Sequence, residues 1–414
     1  MTKANIKVIK AGRLIDGTGK APIENAMVLI EDAKIKAVGR DITVPDEAQV
    51  IDASKQTVMP GMIDAHMHYH GVRPDDNMEV EGISRPREIG LIKAVFDAKK
   101  FLALGFTTTK DCGGMNGVYL KQAANEKILS GIPRIIASAY EMKNGKGHPY
   151  TYMPVEYFDA RTSRMGGMIG NENLICDGVD ECIKATRFNL SRGADFIKLV
   201  NPADGCFNLD ELKAIVQTAA QVNKFVTAHS VTTEFAKDAI QAGVKTIDHA
   251  IWIDEEGIEI GIKAGAIFVS TLVVMQAVMD YGANVKRKHY TAEMARTKIV
   301  PMIEGYKMMR KMGAVLAIGT DIGGESLCEY INSALEIELL VRYCDYTPME
   351  AIVCATKNAA MACFIGDKTG TIEPGKFADI IVVDGDPLKN VKILQEMDKI
   401  KIVMLEGKVE IIKS

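Results

Sequence analysis

The chain has 414 residues, 47% hydrophobic and 25% charged, with 50 basic and 54 acidic side chains for a net charge of −4. These values exclude disorder as the main state, and they exclude a broad basic footprint for nucleic acid or an anionic membrane. At roughly 150 residues per domain, two domains are expected, one of them large enough to be a barrel.

Short β-prone runs open the chain at residues 7–10, 26–31 and 34–38. Runs at 379–383 and 401–405 share that texture. A small β domain, a β-sandwich built from residues 1–60 and 367–414, is therefore expected. Residues 61–366 alternate instead. Apolar segments at 61–68, 107–111, 134–138, 196–200, 225–229, 246–249, 266–270 and 316–321 are each followed by helix-like sequence such as 87–104, 209–221 and 232–243. Eight strands alternating with helices predict a (β/α)8 TIM barrel of the α/β class. An open doubly wound sheet is the alternative, but no GxGxxG turn follows any of the segments. Residues 150–173, rich in Met, Gly and Tyr, read as an inserted loop.

The eight cysteines form no CxxC pair, so neither a zinc ribbon nor a disulfide framework is expected. The opening MTKANIKVIKAGRLIDG has no apolar h-region, and no stretch of 18 apolar residues occurs. Reduced thiols in a cytoplasmic protein without a membrane span are the expectation.

Four of the seven histidines fall at the ends of predicted strands: His66 and His68 in GMIDAHMH, His229 in FVTAHS and His249 in TIDHA. Asp321 ends the last strand in LAIGTD. In a barrel, catalytic groups come from the C-terminal ends of several strands. Residues i and i+2 of a strand share a side, so His66 and His68 face the same way and suit a divalent metal. Lys198 lies inside the apolar strand FIKLV. Burying an ammonium is costly, which leaves two routes. A lowered pKa yields a neutral amine that reacts with CO2 to give a carbamate, a two-oxygen ligand able to bridge two metals. Otherwise Lys198 snorkels or pairs with an acid such as Asp321. Asp248, next to His249, offers a carboxylate behind the ligands, but alternation aims it away from the side of His249. Cys112 reads as a small buried hydrophobe rather than a nucleophile.

Taken together, PGMIDAHMH, TTTKDCGG, the Lys198 strand, AHS, DHA, GTDIG and the terminal GTIEPGKFADIIVVDGDPL resemble the amidohydrolase superfamily over essentially the whole chain. The TTTKDCGG turn and the GHP at His148 are most similar to its prolidase-like and imidazolonepropionase-like group. The resemblance implies that His66, His68 and Asp321 hold one metal, that His229 and His249 hold a second, and that N6-carboxylated Lys198 bridges them. Zinc is the default metal; manganese, iron or cobalt suit the same ligands. The resemblance further implies a water activated between two divalent ions, with Asp321 as the catalytic proton carrier. It points to amide hydrolysis of a small-molecule substrate, such as a dipeptide or N-acyl amino acid, by a homo-oligomer.

The lysine favours the binuclear prolidase-like side, because imidazolonepropionases are mononuclear and lack a carboxylated lysine. His148, on a Gly-rich loop, and Tyr140 are candidate substrate contacts. The tyrosine that prolidase-like relatives carry after the strand-five histidine is missing from AHSVTTE, which weakens a dipeptidase assignment. A mononuclear ring-amide hydrolase or deaminase, a lactonase or phosphotriesterase at the same site, and a non-catalytic scaffold are the alternatives.

Overall fold

The computed structural model describes residues 5–71, 86–144, 173–201, 207–281, 291–323 and 333–413. Strands β1 (Ile6–Leu14), β2 (Ile23–Glu31), β3 (Lys34–Gly39) and β4 (Gln49–Pro60) open the chain. Strands β15 (Ile380–Val383), β16 (Ile400–Leu405) and β17 (Lys408–Ile412) close it. Both sets join in one seven-stranded sheet of order β17-β16-β15-β4-β1-β2-β3. The join is β15 antiparallel to β4, with Ile380 opposite Pro60. This sheet has its own apolar core, which includes Ile9, Leu14, Val28, Val58, Ile380 and Met404.

Between the two ends the chain alternates strand and helix. In order it runs β5 (Met62–Met67), α1 (Arg87–Ala103), β6 (Phe106–Asp111), α2 (Asn116–Asn125), β7 (Arg134–Ala137), β8 (Glu141–Lys143), β9 (Asn173–Ile175), α3 (Val179–Ser191), β10 (Ile197–Asn201) and α4 (Leu209–Ala220). It continues through β11 (Val226–Ser230), α5 (Thr233–Ala242), β12 (Thr246–His249), α6 (Glu255–Ala264), β13 (Ile267–Ser270), α7 (Leu272–Tyr281), α8 (Ala292–Met312), β14 (Leu316–Ile318), α9 (Leu335–Tyr343) and α10 (Pro348–Val353).

All eight expected strand positions are present. Strands β5, β6 and β7 pair in parallel. So do β8, β10, β11, β12, β13 and β14. β7 and β8 are two parts of one strand position, interrupted at Ala139 with φ +61°. The ring meets itself where Met67 pairs in parallel with Ile322 and where the Thr320 amide donates to the His66 carbonyl over 2.8 Å. This α/β topology is consistent with a (β/α)8 barrel. Strands covered on both faces read as unbroken buried runs, as β5 and β6 do.

Local sequence explains the helix ends. Asn208 and Glu211 form a capping box at the start of α4. Gly243 and Gly265, at φ +99° and +65°, stop α5 and α6 with the left-handed turn that glycine adopts most cheaply. Beneath the strand ends sits an unforeseen buried lysine. The Lys110 ammonium donates to the Thr227 and Thr246 hydroxyls at 2.8 and 3.2 Å, and it lies 4.7 Å from the centre of the Phe196 ring. No helix among the described residues is long and apolar enough to cross a membrane. The six described cysteines are free thiols.

Candidate metal centre

Alternation along each strand stacks two layers inside the ring. Asp64, Lys110, Thr227 and Thr246 each lie two residues before His66, Cys112, His229 and Asp248. The upper layer is the site. His66 Nε2 and His68 Nε2 lie 3.4 and 3.2 Å from Asp321 Oδ1. The His249 ring is centred 4.7 Å from His66 and 4.4 Å from His229. Ligand atoms of His66, His249 and Asp321 fall within 4.8 Å of one another. The structure therefore gathers His66, His68, Lys198, His229, His249 and Asp321 at one end of the strands.

Asp321 is the most open of the acidic groups at this centre, with 19% of its side chain exposed against 0% for Asp248. Its backbone, like that of His249 and Ala250, is left-handed, with φ +55°, +67° and +46°. Such conformations cost free energy and persist where the surroundings impose them. Gly319 makes room for this turn: a Cβ there would stand 2.5 Å from the His66 Cβ. Asp64 ties the seam together. It accepts the Thr320 hydroxyl at 2.6 Å and the His66 amide at 3.1 Å.

The electrostatics suit a cation. Burial foremost, then His66, brings His249 down to about 3, so its imidazole is neutral, the form that ligates metals. Its Nδ1 lies 2.7 Å from the Thr271 hydroxyl. Its Nε2 is buried with no hydrogen-bond partner among the described residues, as are His68 Nδ1 and Asp248 Oδ1. Buried polar atoms without partners are costly, and a bound divalent ion would satisfy His249 Nε2. Burial works against the charge of Asp321, but hydrogen bonds from His66 and His68 hold it well below the usual carboxylate range. The donor set thus fits a divalent metal.

Two readings of the strand ends need correction. Asp248 does not point away from the cluster. Its Oδ2 lies 2.8 Å from His66 Nδ1 and 2.5 Å from Lys198 Nζ. On β12 it is Thr246 and Asp248 that alternate inward, and His249 comes back inward only because it leaves the strand with positive φ. The acid beside Lys198 is likewise not the expected one. Burial lowers the lysine's proton affinity, but the Asp248 carboxylate and Cys112 outweigh burial and raise it. Lys198 pairs with Asp248, not with Asp321.

Tyr140 is not brought to the cluster. Its ring lies 5.9 Å from Phe188 of α3, and its backbone exchanges hydrogen bonds with the Asn189 side chain. The left-handed Ala139 offsets the alternation, so that Glu141 is the residue that turns inward. Glu141 pairs with Lys143 at 3.0 Å and stands 3.9 Å from His68 Nδ1. Burial would raise this carboxyl, but Lys143, His68 and Lys198 together bring it to about 2. Cys112, buried, falls with His66 and Asp248 in a second group of converging ligand atoms. His70 packs 4.7 Å from the His68 ring, and burial holds it down to about 3. His148 lies outside the described residues.

Histidine and aspartate side chains gathered at the strand ends of a parallel α/β fold mark the class, a hydrolase. Residues 57–409 match the amidohydrolase family, and the chain belongs to it. It is 30% identical to an ochratoxinase of Aspergillus niger, over 98% of this chain and 87% of that one. The crystal structure of that ochratoxinase superposes with a TM-score of 0.86, at 27% identity over 99% of this chain and 96% of that one. A prolidase complexed with N-methylphosphonate-L-proline gives a TM-score of 0.87 at 25% identity, covering 99% of this chain and 100% of that one. An imidazolonepropionase of Pyrobaculum arsenaticum is 25% identical over 88% of this chain and 87% of its own. With these relatives, the chain is a hydrolase acting on carbon–nitrogen bonds.

Proposed function

We propose that the protein is a binuclear metal amidohydrolase that cleaves the amide bond of an N-acyl amino acid or a dipeptide-like substrate. The observation that carries this reading is the approach of His66 Nε2 and His68 Nε2 to one oxygen of Asp321. In this reading His66, His68 and Asp321 would hold one divalent ion, His229 and His249 would hold the other, and Lys198, carboxylated on Nζ, would serve both. When bound, the metals supply Lewis-acid polarisation of a carbonyl and a water of lowered pKa.

The chain's own residues do the rest. Asp321 Oδ1 faces the position shared with His66 and His68, and the second oxygen, Oδ2, would take the proton of the attacking water. The partial exposure of Asp321 lets the same carboxyl hand that proton to the departing amine. In this reading Nδ1 of neutral His249 donates to the Thr271 hydroxyl, which frees Nε2. Buried strand ends around the cluster exclude bulk water.

The reading extends to the architecture. Residues 61–366 are a (β/α)8 barrel carrying the site at the C-terminal ends of its strands. Residues 1–60 and 367–414 form a β-sandwich, supported by the separate apolar core of the terminal sheet. Zinc suits the mixed nitrogen and oxygen donors. We also place the enzyme in the cytoplasm as a homo-oligomer. An exposed apolar face of α1, with Ile92 at 54% and Phe96 at 63%, supports self-association.

A screen of N-acyl amino acids and Xaa-Pro and other dipeptides, read by release of free amine, tests the activity. Turnover that disappears in Asp321→Asn supports the assignment. Turnover confined to cyclic amides, unaffected by Lys198→Ala, favours the mononuclear reading that the imidazolonepropionase relatives suggest.

A further inference from the structure

Asp248 touches two residues of the proposed metal set and belongs to neither metal. Its side chain is completely buried. One oxygen, Oδ2, is shared between His66 Nδ1 at 2.8 Å and Lys198 Nζ at 2.5 Å. The opposite nitrogen of the same imidazole, Nε2, faces Asp321 Oδ1. The two ends of the His66 ring therefore look onto different carboxylates, one buried behind it and one at the mouth of the site.

An imidazole that ligates a metal through one nitrogen carries its proton on the other, and the partner of that proton sets the ring's orientation. A carboxylate on Nδ1 keeps the proton there and leaves the Nε2 lone pair directed at the position shared with His68 and Asp321. No other carboxylate among the described residues pairs with His66 Nδ1. The strand supports this placement. Asp248 sits in register beside His229 of β11, and its neighbour two residues back, Thr246, is anchored by Lys110.

We propose that Asp248 is a positioning residue. It fixes the His66 ring with Nδ1 as donor and Nε2 presented to the metal, and the same oxygen accepts from Lys198 Nζ. The functional meaning of this inference rests on the metal-centre reading above, whereas the ring orientation does not.

Two variants separate the parts. Asp248→Asn keeps the shape and leaves an amide oxygen that can accept from His66 Nδ1. Asp248→Leu fills the same space and removes every acceptor. Zinc affinity by chelator competition is measured for the parent and both variants, and metal-free crystal structures are solved for each. Asp248→Leu is expected to bind zinc about 10–100-fold more weakly, with Asp248→Asn in between. The His66 ring is expected to turn from its parent orientation in Asp248→Leu and to keep it in Asp248→Asn. Parent-like zinc affinity in Asp248→Leu overturns the proposal, and so does an unmoved His66 ring. A parent protein that takes up no zinc contradicts the metal-centre reading instead, and the crystal structures still decide the position of His66.

Discussion

The Thr320 hydroxyl donates to Asp64 Oδ2 over 2.6 Å, joining the first strand of the ring to the turn after the last. Both residues are fully buried, and each is a near neighbour of a proposed metal ligand, His66 or Asp321. Replacing Thr320 with Val strips this hydroxyl from a buried carboxyl. The loss is expected to cost about 1–3 kcal/mol, read by chemical denaturation. Metal affinity should fall with it, because Asp321 loses its anchored neighbour. Unchanged stability in Thr320→Val would show that the seam does not depend on this bond.

Gly319 is a second control on the same turn. An added Cβ would lie 2.5 Å from the His66 Cβ and 2.7 Å from a Val269 methyl. Gly319→Ala must push His66 aside, at a cost of about 1–3 kcal/mol of strain. Metal binding is expected to weaken by more than the fall in thermal midpoint alone implies. A variant that melts and binds metal like the parent would refute the close approach.

Glu336 gives a pH-dependent prediction away from the metal ligands. Its carboxyl accepts the Leu272 and Val273 amides at 3.0 and 2.7 Å, at the start of α7. Burial pushes it up from 4.5 to about 7. The folded chain therefore retains this proton between pH 4.5 and 7 where the unfolded chain releases it. The contribution is complete below pH 4.5 and is lost as pH rises towards 7, amounting to roughly 3 kcal/mol. Urea denaturation across that range should show the stability difference between Glu336→Gln and the parent moving in the variant's favour as pH rises. A difference independent of pH would contradict the raised carboxyl.

Much of this site could be read in the sequence, because strand period and residue type are local properties. The HxH pair of β5, the histidines ending β11 and β12, and Asp321 after β14 needed only the right strand ends. The buried lysine of β10 stood out by its apolar neighbours. What escaped were features decided by backbone angles and by contacts between distant strands. Asp248 was aimed the wrong way because His249, not Asp248, breaks the alternation with its left-handed backbone. Glu141 was hidden by the same kind of break at Ala139. The partner of Lys198 depends on β12 lying two strands away from β10, across β11. No local pattern contains that choice.

Metal content per chain tests the central claim most directly, measured by elemental analysis on protein purified with bicarbonate and without chelator. The account predicts two divalent ions per chain, with a sharp fall in Lys198→Ala. One ion per chain, unchanged by that substitution, would contradict the binuclear centre and leave His66, His68 and Asp321 as ligands of a single metal.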